Sequence, residues 1–212
     1  MSLSAKVDNY SRYYTFNDLH MFQEANMRKD IGNKPWIYPQ PVLIIGTYDE
    51  NGVPDLMNAA WGGVGDDHQV FLCLSPEHKT VQNMLNKKAF TVALATADQL
   101  AACDYVGIVS ANDVPDKIAR SGLTVVKAPH VDAPMVMELP VCLECELISY
   151  EPEHCHTFGE IVNVSVDESV LAGGVIDPKK LDPLVYSICT GEYYRLGEAA
   201  GKAFTAGQAL VK

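Results

Sequence analysis

The sequence predicts a mainly β protein: a predominantly antiparallel barrel with helices inserted between its strands. Two observations carry this. The chain yields six or seven strand-like runs, mostly joined by short connections, and only two or three helical stretches interrupt them. A third observation excludes the main alternative, because a doubly wound parallel sheet needs regular strand-helix alternation and the chain does not show it.

Residues 1–40 are weakly patterned and read as an N-terminal arm, with "NDLHMFQEANMRK" as one helix capped by Asn17 or Asp18. The domain proper is expected over 41–212. "PVLIIGTYDENGVPDLMNAAW" is an apolar strand, an Asp-Glu-Asn-Gly turn and a second strand, and "QVFLCLS" follows as a third. In "HKTVQNMLNKKA" the apolar residues Val81, Met84 and Leu85 fall at helical spacing, after which "FTVALAT" returns to strand. "DQLAACDYVGIVSA" and "VPDKIARSG" read as short helices on one side of the sheet. "LTVVKA", "MELPVCLECELISYE" and "HTFGEIVNVSVDESV" read as further strands, the last two split by the "EPEHC" turn. The tail "KKLDPLVYSICTGEYYRLGEAAGKAFTAG" is irregular.

At 212 residues and 48% hydrophobic, the chain can bury a full core in one domain. Sixteen basic residues against 27 acidic ones give a net charge of -11, which argues against nucleic acid or an anionic membrane as partner. No apolar run approaches the roughly 20 residues of a membrane span, and the N-terminal stretch lacks the apolar core of a secretion signal, so the expected location is the cytoplasm. Cys73, Cys103, Cys142, Cys145, Cys155 and Cys189 lie mostly in apolar or strand-like sequence and are expected as free thiols.

Two stretches carry candidate chemistry. In "LSPEHKTVQNML", Ser75, Lys79 and Thr80 gather where a strand gives way to a helix. The unpaired amides and partial positive charge of a helix N-terminus, with two hydroxyls and an ammonium beside them, make a phosphate cradle. The same residues also suit a plain helix cap. In "DLMNAAWGGV", a strand passes into Asn58, Ala59, Ala60 and Trp61 followed by paired glycines. Small residues there let the main chain approach a flat heterocycle, and a strand bulge with a turn is the other reading.

These stretches, taken in order with "VPDKIARSGLTVV", "CLECELISYEPEHCHTFGEIVNVSVDESV" and "YYRLGEAAGKAF", resemble the flavin reductase-like, FMN-binding split-barrel family and, within it, the flavoredoxins. The resemblance covers about residues 33–205. It implies a homodimeric split β-barrel that holds FMN noncovalently near the dimer interface. Asn58, Ala59, Ala60 and Trp61 would face the isoalloxazine ring, with Ser75, Lys79 and Thr80 by the ribityl phosphate. Lys117 matches a basic position at the flavin, either His154 or His156 matches the one expected histidine, and Tyr193 or Tyr194 matches a C-terminal aromatic.

The implied function is an FMN-dependent oxidoreductase passing electrons to a second flavin or a redox protein, with NAD(P)H as a transient donor. The alternative is a flavin-binding electron carrier without NAD(P)H turnover. No catalytic side chain is assigned, because the flavin itself carries the electron chemistry. A metal centre is disfavoured: His154 and His156, two apart on a strand, supply two ligands at most. Cys142 and Cys145, three apart on a strand, would face opposite ways and make no dithiol.

Overall fold

The structure, a computed structural model, describes residues 28–211. The chain divides into two units, Met1–Pro35 and Trp36–Lys212, and all that follows concerns the second. The helix expected over 17–29 lies almost wholly outside the described residues.

In chain order the strands and helices are β1 (Gln40–Pro41), β2 (Leu43–Tyr48), β3 (Pro54–Ala59), β4 (Gly62–Asp66), β5 (Gln69–Cys73), α1 (Lys79–Lys87) and β6 (Ala89–Leu94). Then come α2 (Leu100–Ile108), α3 (Lys117–Ser121), β7 (Val125–Lys127), β8 (Pro134–Val136), β9 (Val141–Glu151) and β10 (His156–Val166). The described chain ends with β11 (Leu171–Ala172), β12 (Val175–Ile176), α4 (Pro178–Leu181), β13 (Leu184–Ser187) and β14 (Glu192–Arg195). Seven strands form the main sheet in the order β3-β2-β6-β9-β10-β5-β4, every neighbouring pair antiparallel.

The sheet order dictates a barrel. Its two edge strands, β3 and β4, are consecutive in the chain and separated only by Ala60 and Trp61. Three peptide links reach at most about 11 Å, so the sheet curls until its edges nearly meet. They do not pair with each other, and the barrel stays split along this seam. Gly62 sits on the seam, where a Cβ would come within 2.7 Å of a Leu72 methyl and 3.1 Å of a Leu43 methyl.

Strand β2 shows why the fold was readable from "PVLIIG". Leu43 and Ile45 point into the barrel beside Leu72, Phe90, Val92 and Cys145. Val42 and Ile44 face the other way and pack with Leu56, Cys103 and Val106. A strand buried on both faces reads as an unbroken apolar run. The fully buried Phe90 ring alone is worth about 1.5–3 kcal/mol of apolar transfer.

Two expectations change. "LTVVKA" was expected among the barrel strands, but β7 pairs only with β8 and stands outside the main sheet. The seventh barrel strand is instead β4, built from the glycine-rich "GGVGD". The tail is more regular than expected, since β13 and β14 form a hairpin that pairs with β1. All six cysteines are free thiols. Burial pushes those of Cys103, Cys142 and Cys145 up to about 12, which leaves them unreactive at neutral pH. Among the described residues, no helix is long and apolar enough to cross a membrane, and no group of three or more His, Cys, Asp or Glu could hold a metal.

Candidate functional site

The seam leaves a cavity of about 450 Å³ where the β3–β4 connection, α2 and the β13–β14 hairpin converge. Asn58, Ala60 and Trp61 form one wall, Tyr193 and Tyr186 another, and Asp104 and Gly107 on α2 a third. Helix α2 lies close against β3 because residue 107 lacks a side chain: a Cβ there would sit 2.7 Å from that of Asn58. Asn58 is thereby held where its Nδ2 donates to the Cys103 carbonyl at 3.0 Å and toward the Tyr193 hydroxyl at 3.4 Å. Tyr193 in turn donates to Asp104 Oδ1 at 2.8 Å. Burial, and after it the Asp104 carboxylate, pushes the Tyr193 phenol up to about 12. The hydroxyl therefore remains a donor at any physiological pH.

A second cavity of about 200 Å³ adjoins the first, Gly107 and Ile108 lining both. It opens at the start of α1. His78, at the N-cap in an extended conformation, makes no side-chain capping bond. The amides of Lys79 and Thr80 find no backbone acceptor. Two donors and the positive end of a helix thus face a cavity that Lys79 also lines.

One wall of this cavity is a buried polar knot. Asp55, on β3, receives the Thr80 hydroxyl on Oδ2 at 2.5 Å, and the Lys117 ammonium approaches its Oδ1 at 2.9 Å. That approach lies outside hydrogen-bonding angle. The ammonium donates to the carbonyls of Val106 at 3.3 Å and Val109 at 3.1 Å. Lys117 and Asp55 side chains are each 3% exposed, so the pair is sealed from water.

The structure brings most of the candidate residues together. Asn58, Ala60, Trp61 and Tyr193 line the larger cavity, and Lys79, Thr80 and Lys117 the smaller. Ala59 is buried in the barrel and lines neither cavity. Ser75 lines neither cavity, since its hydroxyl donates to Glu77 two residues on. Strand alternation separates Tyr193 from Tyr194, whose ring lines a different depression and whose hydroxyl donates to Glu192 at 2.6 Å.

His154 and His156 line neither cavity in their own chain. The expectation that both sit on a strand changes, because β10 begins only at His156 and Cys155 before it has φ of 60°. The two rings stack with centroids 5.6 Å apart, and both reach the Glu151 carboxylate, at 3.2 and 3.6 Å.

Sequence reasoning missed Asp55, Asp104, Gly107 and Tyr186. The two aspartates had a legible signal, since each is an acidic residue inside an apolar run, "VPDLM" and "AACDYV", where an unpaired carboxylate would be costly. Gly107 and Tyr186 had none, as their importance lies in which element packs on which.

The flavin reductase-like domain family matches residues 36–197. Among solved structures, the chain is similar to a flavoredoxin of Desulfovibrio vulgaris (Miyazaki F), with a TM-score of 0.82, 38% identity, 85% of this chain covered and 100% of that one. It is also similar to a flavoredoxin from Methanosarcina acetivorans, with a TM-score of 0.79, 26% identity, and coverage of 87% and 100%. Nitrilotriacetate monooxygenase component B from Bacillus cereus shares the fold at 18% identity, with a TM-score of 0.68 and coverage of 90% and 96%.

Proposed function

We infer the function from one premise: the chain belongs to the flavin reductase-like domain family. On it, the protein is an FMN-binding flavin-dependent oxidoreductase. The observation that carries this reading is the pair of adjoining cavities at the barrel seam, one walled by aromatic rings and one set at an uncapped helix start beside Lys79. The larger volume lies in the range of ligand pockets, and its walls suit a flat heteroaromatic ring.

Trp61, Tyr193 and the main chain of residues 60–61 would hold the ring, and the amides of Lys79 and Thr80 with the Lys79 ammonium would hold the phosphate. The bound flavin would supply the capacity to accept and release two electrons. Asn58, fixed by Gly107 and the Cys103 carbonyl, orients the Tyr193 hydroxyl. Lys117 acts at one remove, keeping Asp55 and through it Thr80 in place. The protein acts as a homodimer in this reading, which the exposed Trp61 and Ile108 at the open side of the cavity favour, at 49% and 71% exposure. Its free thiols suit the cytoplasm. NADH or NADPH is the proposed transient donor, with a second flavin or a redox protein as acceptor.

Titration with FMN tests the reading, and a bound-flavin spectrum is the expected result. Lys79→Met removes a charge-assisted bond of about 1.5–3 kcal/mol, or roughly a 10- to 150-fold loss in affinity. Unchanged affinity would refute the cradle. Anaerobic addition of NADH or NADPH then separates two modes: rapid bleaching supports a reductase, and its absence supports a carrier supplied by a protein partner.

A further inference from the structure

The charge inside the larger cavity is negative. Asp104 is the one charged side chain among those lining it, and among the described residues no Lys, Arg or His nitrogen lies within ion-pairing distance of its carboxylate. Its Oδ1 accepts a hydrogen bond from the Tyr193 hydroxyl, which lines the same cavity. The elements packed around it offer nothing to neutralise it. Strand β3 contributes the uncharged Asn58, and β13 and β14 contribute Tyr186 and Tyr193. On α3, Lys117 is spent on Asp55 and Arg120 on Asp116.

We propose that the Asp104 carboxylate sets the redox poise of the flavin by disfavouring negative charge on the reduced ring. This rests on the flavin reading above. Two-electron reduction of a flavin takes up either one proton, leaving the ring anionic, or two, leaving it neutral. A fixed carboxylate in the same partly desolvated cavity repels the anionic form. Reduction is therefore coupled to two electrons and two protons, and it occurs at a lower potential than in a cavity without the carboxylate. Tyr193 contributes by holding the carboxylate in place, its own proton retained throughout.

The test is an anaerobic potentiometric titration of the FMN-loaded protein across pH, followed by flavin absorbance. Each proton taken up per two electrons contributes about 30 mV per pH unit, so the wild-type potential falls by about 60 mV per unit through neutrality to about pH 8. Asp104→Asn raises the potential, by about 30 mV for each tenfold gain in the ratio of reduced- to oxidised-flavin affinity, with the gap opening as pH rises and closing at low pH, where both proteins hold the neutral reduced ring. A wild-type slope of about 30 mV per unit at neutral pH overturns the proposal, and does so without any variant. An Asp104→Asn protein that binds FMN tightly at unchanged potential overturns it while leaving the flavin reading intact. A wild-type protein that takes up no FMN overturns both.

Discussion

Lys117 is paired with Asp55 out of reach of water, and its removal gives a quantitative forecast. Lys117→Met keeps the length of the stem and deletes the ammonium. Asp55 is left buried with the Thr80 hydroxyl as its sole donor, and the carbonyls of Val106 and Val109 lose theirs. Removing one member of a buried ion pair costs about 3–5 kcal/mol. A chain of this size loses about 2–4 °C of midpoint per kcal/mol, so the expected fall is about 6–20 °C. Thermal unfolding should be followed by circular dichroism on flavin-free protein, so that ligand binding adds nothing to the midpoint. Combining Asp55→Asn with Lys117→Met removes the stranded charge and should restore most of the loss, because a neutral pair is often as stable as a buried ionic one. A single-variant fall under about 1 kcal/mol, or a double variant no better than the single, would refute the reasoning. If Lys117 instead contacted the flavin directly, FMN affinity would collapse while the flavin-free midpoint stayed put.

Two further outcomes are expected. Burial opposes ionisation of Glu144, but bonds from Asn163, His130 and Ser165 outweigh it and hold the carboxyl below its ordinary value. Its contribution to stability is complete above the unfolded value of about 4.3 and is lost as pH falls through the lower folded value. Urea midpoints measured down that range should decline less steeply for Glu144→Gln than for wild type. Gly107→Ala drives a methyl against Asn58 Cβ at 2.7 Å and should cost about 1–3 kcal/mol by overpacking. The same displacement should loosen FMN, measured by fluorescence titration, whereas an equally destabilised variant remote from α2 should not.

The barrel was legible where side chains alternate against two cores, as in β2. It was illegible where side chains are missing: three of the five residues of β4 are glycine, so no period marked it, and only its pairing with β5 makes it a strand. The proposed phosphate cradle was legible as a strand end running into Lys79 and Thr80, but not in its wiring. Local competition turned the Ser75 hydroxyl to Glu77, and a partner 25 residues earlier in the chain, Asp55, took that of Thr80. The choice between Tyr193 and Tyr194 could have been made from strand parity had β14 been recognised. His154 and His156 show the reverse, a motif visible in sequence whose place beside Glu151 lies away from both cavities of the same chain.

Charge links these observations to binding kinetics. The whole chain carries -11, and FMN is itself an anion, so at long range protein and ligand repel. With Lys117 neutralised by Asp55, the cradle's attraction comes from Lys79 and the helix start, and it acts only at short range. Salt screens the long-range repulsion, over a Debye length of about 8 Å at physiological ionic strength, more effectively than it screens contacts inside the cavity. FMN association, followed by stopped-flow quenching of flavin fluorescence, should therefore accelerate as salt is raised from low ionic strength, while dissociation changes little. Association that slows with salt would mean that a wider basic field steers the phosphate, and that a cradle of one lysine and two amides is an incomplete account of the site.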